Sequence, residues 1–366
     1  MTQSKDKRHG EIVPLTGLRG LAAWWVVFYH FKEYLQPLVP GFVSAFLAKG
    51  YLAVDLFFVL SGFVLFLNYR NSFSSDRSGA VRTFLRKRIA RVYPLHLLMC
   101  VLFLVNPLAI AYFAPGVPLG ARYTPDSFVA SLLMAHNWGF FDGLVWNVPS
   151  WSISTEWFAY LLFPGMVLLV NRYVQSIWRA VSVAIVIGVA IYMYFDSAGA
   201  ASIDHLIAAH GLIRCVLQFS LGILSCVIFL ELKKRFKCVW YASLGVFLVA
   251  VGMFLFLPIR DFSILPLAFV ALVMACADEH FKFATVLSNR IVAYLGLISY
   301  STYMVHYFIR DWTRFFLIDG SDFGNRLAMI TYLLVTAVCS AVLYHWVEKP
   351  CRSLLRNSAG HETPSG

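Results

Sequence analysis

Runs of about 18 to 22 mainly apolar residues recur along the entire chain, and each is long enough to cross a hydrocarbon core of about 30 Å as a helix. Of the 366 residues 60% are apolar and 13% charged, and mean hydropathy is +0.70, so a bilayer solvent explains the pattern better than a large soluble core. The spans expected from this pattern are 15–34, 50–69, 93–112, 150–170, 180–195, 206–230, 239–257, 263–277, 291–309 and 326–347. The expected fold is therefore an all-α integral membrane protein of about ten transmembrane helices. One domain covers 15–350, flanked by an N-terminal tail (1–14) and a C-terminal tail (351–366).

A formal net charge of +11 raises the question of nucleic acid, but in a multi-pass protein basic residues collect in cytoplasmic loops. With the N-terminus inside and the helices alternating, the inner segments hold most of the 30 lysines and arginines. These include Lys5, Lys7, Arg8, the run from Arg70 to Arg91, and Lys233, Lys234, Arg235 and Lys237. Both termini are thus expected in the cytoplasm, with membrane lipids and no nucleic acid as partners. The first apolar run lacks a small-x-small cleavage site and reads as a signal anchor. Seven scattered cysteines show no CxxC or paired spacing, so they read as packing residues and no metal is expected.

Two segments between spans stand out. The stretch 71–92 reads as a long inner loop containing Arg82, Arg86, Lys87, Arg88 and Arg91, suited to an anion or to anionic lipid headgroups. The outer segment 114–149 is rich in glycine, proline and aromatic residues, and its helical part, 127–138, is too short to span. A re-entrant or interfacial helix is expected there, with substrate specificity nearby. No repeat of 20 to 50 residues is visible.

Ionisable groups at membrane depth are costly and mark function. Arg19 and His30 lie eleven residues apart, about three helical turns, which puts both on one face with roughly 16 Å of rise between them. Asp55, Glu156 and His306 fall at the depth of His30. A carboxylate beside an imidazole fixes its tautomer and lets the other nitrogen serve as general base, so Asp55 or Glu156 is the expected partner of His30. The structural alternative for either acid is an ion pair tying helices together. Arg214 could pair with an acid or an acceptor. Trp138, Trp146, Trp151 and Trp157 fit an interfacial belt or a sugar-stacking rim. His306, Arg214 and Trp151 are the candidate substrate contacts. Ser61, Gly62, Ser299 and Ser301 read as packing residues, and no GxSxG elbow supports a serine nucleophile.

Several segments, taken in order, resemble the acyltransferase family 3 membrane proteins. LTGLRGLAAWWVVFYHF carries the family's Arg and His, here Arg19 and His30. GYLAVDLFFVLSGFVL carries Asp55, and FLRKRIARVYP carries its basic pair before a proline, Arg88 and Arg91. SWSISTEWFAYLLFP contains Glu156, SYSTYMVHY contains His306, and VEKP contains Glu348 and Pro350. The resemblance implies transfer of an acyl group, usually acetyl, from cytoplasmic acyl-CoA to a hydroxyl of a glycan, lipid-linked saccharide or other acceptor at the outer side of a bacterial inner membrane. Arg19, Arg88 and Arg91 would then hold CoA, and His30 would activate the acceptor. Some members carry a fused extracytoplasmic hydrolase-like domain, and this chain reads as the stand-alone form. The rival reading is a transporter or flippase using the buried His and carboxylates as a proton relay, but no inverted repeat supports it.

Overall fold

The computed structural model describes residues 12–73, 77–318 and 321–357. Lys5, Lys7 and Arg8 of the N-terminal tail and residues 358–366 of the C-terminal tail lie outside the described residues. Those described are helical, without strands. In chain order the helices used below are α1 (Val13–His30), α2 (Ala53–Tyr69), α3 (Arg77–Phe103), α4 (Val105–Phe113), α5 (Pro125–Leu132), α6 (Trp151–Tyr173) and α7 (Ile177–Ser197). They continue with α8 (Ile207–Arg235), α9 (Trp240–Phe256), α10 (Asp261–Ala277), α11 (Arg290–Leu297), α12 (Ser299–Leu317) and α13 (Asp322–Leu343).

Six helical segments among the described residues are long and apolar enough to cross a bilayer: Gly41–Tyr69, Ser78–Phe113, Val148–Tyr173, Ile177–Ser197, Ile207–Arg235 and Phe323–Leu354. Helices α9 and α10 are apolar but shorter. Helices α1 and α12 carry the titratable groups singled out in the sequence.

Helix α2 is the axis of the bundle, buried from Ala53 through Phe66 with few interruptions. It can be central because it meets α8 at glycines on both sides. A Cβ on Gly62 would sit 2.0 Å from the Phe219 carbonyl oxygen, and one on Gly222 would sit 2.0 Å from that of Val59. Backbones this close gain dispersion contacts where lipid supplies no hydrophobic drive between helices. Helix α7, by contrast, buries only Ala180, Ile191 and Phe195 and lies at the periphery.

Several expectations are corrected. The stretch 71–92 is not a loop, because α3 begins at Arg77 and runs unbroken through Pro94. Arginine, lysine, alanine and leucine are strong helix formers, and their charge masked that propensity in the hydropathy pattern. Close to Pro94 this helix is tied to α12 by Tyr300, whose hydroxyl donates to Val92 O at 2.7 Å. Next, 291–309 is two helices, with a turn at Ile298 (φ −87°, ψ 1°). Gly296 beside that turn packs against Thr16 of α1 so closely that a Cβ would fall 1.9 Å from the Thr16 carbonyl oxygen. Helix α12 then extends to Leu317, so His306 lies mid-helix rather than near the end of the expected 291–309 span, and Arg310 and Arg314 beyond that span are helical.

Third, the helix expected at 127–138 is the shorter α5, and the chain from there to Ser150 is mostly irregular, with buried residues at 134, 136–137 and 145–147 and an exposed tip between them. Its polar groups find partners inside the protein: Asn137 N–H donates to Ser154 Oγ (3.1 Å), Trp138 Nε1 to Ser154 O (3.0 Å) and Asn147 Nδ2 to Met304 O (3.0 Å). Trp146 and Trp151 are each 5% exposed, which removes them from an interfacial belt. Among the cysteines, Cys238 is exposed and so is not a packing residue.

Candidate active site

Helices α1 and α12 run side by side in the same sense, so the Arg19-to-His30 face of α1 is matched along the start of α12. Near one end Arg19 Nη2 donates to Ser299 Oγ at 3.3 Å. About three turns further, His30 Nδ1 and His306 Nε2 are 3.0 Å apart.

The protonation of this imidazole pair follows from its backbone partners. His306 Nδ1 lies 3.2 Å from Thr302 O, and His30 Nδ1 lies 3.1 Å from Val26 O. A carbonyl oxygen only accepts, so both Nδ1 atoms carry hydrogen, an assignment drawn from the hydrogen-bond network. His30 Nδ1–H is then shared between Val26 O and the lone pair of His306 Nε2. His30 Nε2 is left unprotonated and makes no hydrogen bond among the described residues. Tyr29 and Tyr307 present ring edges to the His30 imidazole at centroid distances of 5.1 and 5.2 Å, and Arg310 Nε donates to His30 O at 2.6 Å.

Neither expected carboxylate hydrogen-bonds to His30. Asp55, in the first turn of α2, is held by Arg214 of α8 in a two-pronged pair: Nε to Oδ1 at 2.8 Å and Nη2 to Oδ2 at 2.6 Å. Both side chains are essentially inaccessible, and the guanidinium lies 5.3 Å from the Trp151 ring. Arg214 is thus paired with Asp55 and packed on Trp151, and neither Arg214 nor Trp151 lines the cavity described next. A planar fork against a planar carboxylate is the geometry that makes a buried charge pair tolerable.

Glu156 belongs to a different group from the one expected. Its Oε1 accepts from Ser61 Oγ and Tyr160 Oη, each at 2.6 Å, so Ser61 is a polar partner and not a packing residue alone. It faces a cavity of about 110 Å³ that is also lined by Arg19, Arg88, Arg91 and Tyr300. Arg88 and Arg91 share one face of α3 through their three-residue spacing, whereas Arg82 and Lys87 on the same helix are exposed. Arg88 Nε is buried with no hydrogen-bond partner, and its guanidinium sits 5.7 to 6.0 Å from the Phe84, Tyr69 and Tyr160 rings. Three guanidiniums against one carboxylate leave the cavity positive, and an orphaned buried donor there is suited to an anionic ligand.

Tyr303 joins the two groups. It lines the cavity, and its ring centroid lies 5.8 Å from that of His306. Its hydroxyl donates to Pro149 O at 2.8 Å, which ties the irregular 133–150 segment to the site. Glu348 of the VEKP segment is buried at the Arg19 end, where Ser301 Oγ donates to it at 2.9 Å. Sequence reasoning missed Tyr160 and Arg310, although the four-residue spacings Glu156–Tyr160 and His306–Arg310 were there to be read. Among the described residues no group of three or more His, Cys, Asp or Glu is placed to hold a metal.

A family model described as an acyltransferase domain matches residues 13–345. The chain is 30% identical over 378 aligned positions to acyltransferase MdmB of Streptomyces mycarofaciens, covering 93% of this chain and 92% of that protein. It is 24% identical to O-acetyltransferase OatA of Staphylococcus aureus (strain NCTC 8325 / PS 47), covering 92% of this chain but 57% of OatA, so it spans little more than half of that relative. No solved structure matches.

Proposed function

Because this chain belongs to acyltransferase family 3 and is a membrane acyltransferase for groups other than aminoacyl groups, we propose that it O-acylates a hydroxyl of a glycan, lipid-linked saccharide or related acceptor, using cytoplasmic acyl-CoA. Acetyl is the expected acyl group. In this reading the chain crosses a bacterial inner membrane about ten times with both termini in the cytoplasm, so the Arg88 end faces the donor and the His30 end faces the acceptor.

The single observation that carries the reading is the hydrogen-bonded chain from Thr302 O through His306 to His30, which leaves His30 Nε2 as an oriented lone pair. His30 Nε2 takes the proton of the acceptor hydroxyl as its oxygen attacks the thioester carbonyl carbon. The new C–O bond forms, the C–S bond breaks, and the proton held on His30 passes to the departing thiolate, directly or through water. His306 positions His30 and accepts its Nδ1–H. Arg19, Arg88 and Arg91 hold the donor's phosphates by charge-assisted contacts, and the small positive cavity admits the acyl arm past Tyr303. Glu156, fixed by Ser61 and Tyr160, limits the positive charge of that cavity and orients the arm.

The test is incubation of the purified full chain, in lipid nanodiscs, with labelled acetyl-CoA and a panel of glycosides. Mass spectrometry should identify an O-acetyl ester that depends on the protein. Hydrolysis of acetyl-CoA without any ester across the panel would count against the reading.

A further inference from the structure

A second cavity lies toward the His30 end, bounded by α4, the chain leading from α4 to α5, and the last turns of α12. Its volume is about 500 Å³. Its two ends differ in chemistry, the polar groups of α4 and of α12 each lying about one turn before the apolar ones. On one, Arg122 Nη2 and Asp311 Oδ2 pair at 2.9 Å, Asn106 Nδ2 donates to the same carboxylate oxygen at 3.3 Å, and Trp312 Nε1 donates to Asn106 Oδ1 at 3.0 Å. On the other stand Ile110, Phe113, Val117 and Phe315. The ion pair is reachable, with side-chain exposures of 26% for Arg122 and 19% for Asp311.

This cavity is wired to the imidazole pair. The Tyr307 ring contacts both His30 and Arg122, 5.2 Å from the imidazole and 5.3 Å from the guanidinium. Arg310 donates to His30 O and also lies 3.5 Å from Asp311 Oδ1. A molecule seated against Arg122 and Asp311 is thus one aromatic ring away from His30.

We propose that this cavity binds the acceptor and that the acceptor is amphiphilic, a sugar ring joined to an apolar body. The proposal rests on the role given to His30 above. A sugar offers hydroxyl donors to Asp311 and acceptors to Arg122 and Asn106, while its C–H face stacks on Trp312. Those groups meet one ring. The end formed by Ile110, Phe113, Val117 and Phe315 has no use for a purely polar glycan, and a bare lipid has no use for the ion pair. One chemistry satisfies both ends, whether its apolar body is a lipid tail or a rigid ring system.

Equilibrium dialysis of tritiated 2-naphthyl β-glucoside against the full chain in nanodiscs tests this without relying on turnover. Methyl β-glucoside should compete at least about tenfold more weakly than the naphthyl compound binds. Asp311→Asn should weaken both about tenfold. Phe315→Ala, at an exposed side chain, should erase the naphthyl preference by weakening the naphthyl compound about tenfold and methyl glucoside far less. A polyprenyl-phosphate glucose in the disc and a soluble glucoside of a rigid apolar ring system are then set against the probe, and stronger competition by one identifies the source. Equal affinity for the two simple glucosides, indifference to Asp311→Asn and Phe315→Ala, or displacement by neither competitor would overturn the proposal. Binding as described with no acyl transfer would instead remove the catalytic role of His30, and transfer that ignores both cavity variants would spare that role while removing this site.

Discussion

His30 of α1 and His306 of α12 share a hydrogen bond of 3.0 Å, and a backbone carbonyl at the Nδ1 of each ring fixes which nitrogen carries the proton. Removing His306 would leave His30 Nδ1–H with only Val26 O and free the ring to tilt. A misplaced buried hydrogen bond costs about 1–3 kcal/mol, so His306→Ala should lower kcat about ten- to a hundredfold with little change in donor affinity. His306→Gln, which presents an acceptor oxygen, should recover part of the loss. Steady-state kinetics of the three proteins checks this, and equal kcat values would count against a positioning role.

The donor side makes its own prediction. Each guanidinium lost from the positive cavity removes a charge-assisted contact worth about 1.5–3 kcal/mol, so Arg88→Gln and Arg91→Gln should each weaken CoA binding about tenfold or more. Raising the salt concentration should weaken the wild type more than either variant, since fewer charges remain to be screened. Calorimetric titration of CoA would measure both effects, and an affinity blind to salt and to both substitutions would dismiss the phosphate clamp.

Asp55 should behave as a structural residue. Leaving one member of a buried ion pair without its partner costs about 3–5 kcal/mol, whereas replacing both by apolar groups is far milder. Asp55→Leu or Arg214→Met alone should therefore lower thermal stability sharply, and the double variant should recover most of it. An Asp55→Leu protein that is stable but inactive would return this acid to the chemistry.

Much of this was legible in the sequence, for physical reasons that differ by residue. The apolar runs gave the helical class because a bilayer demands long continuous segments, and the eleven-residue spacing put Arg19 and His30 on one face because helical geometry is rigid. The three-residue spacing of Arg88 and Arg91 likewise put them on one face of α3, although the surrounding charge disguised that helix as a loop. What failed was pairing across helices. Matching depth brought Asp55 and Glu156 to the level of His30, but depth fixes one coordinate of three. Rotation of α2 toward α8, set by the close approaches of Gly62 to Phe219 and of Gly222 to Val59, turns Asp55 to Arg214, and Tyr160 one turn along α6 captures Glu156. His306 reached His30 because α1 and α12 lie side by side, which no local pattern announces.

Outside the membrane-spanning helices, Asp278 tethers the start of α9 to the end of α10. Burial alone would raise its pKa, yet the N–H groups of His280, Val239 and Trp240 together with Lys233 outweigh that and hold it below the ordinary carboxylate range. A carboxyl with a depressed folded-state pKa contributes stability that is complete above its unfolded value, near 3.9, and is lost as pH falls through the lower folded value. The thermal midpoint of the wild type should therefore drop more steeply than that of Asp278→Asn between about pH 5 and pH 3. Parallel curves would show that the tether does not depend on the charge.

The central claim is that His30 Nε2 removes the proton from the acceptor hydroxyl. Single-turnover transfer from labelled acetyl-CoA, comparing wild type with His30→Ala at saturating donor, tests it most directly. A positioned general base contributes about 10²–10⁴-fold, so the account predicts a rate lowered at least about a hundredfold with CoA affinity unchanged. Transfer by His30→Ala at the wild-type rate would contradict it.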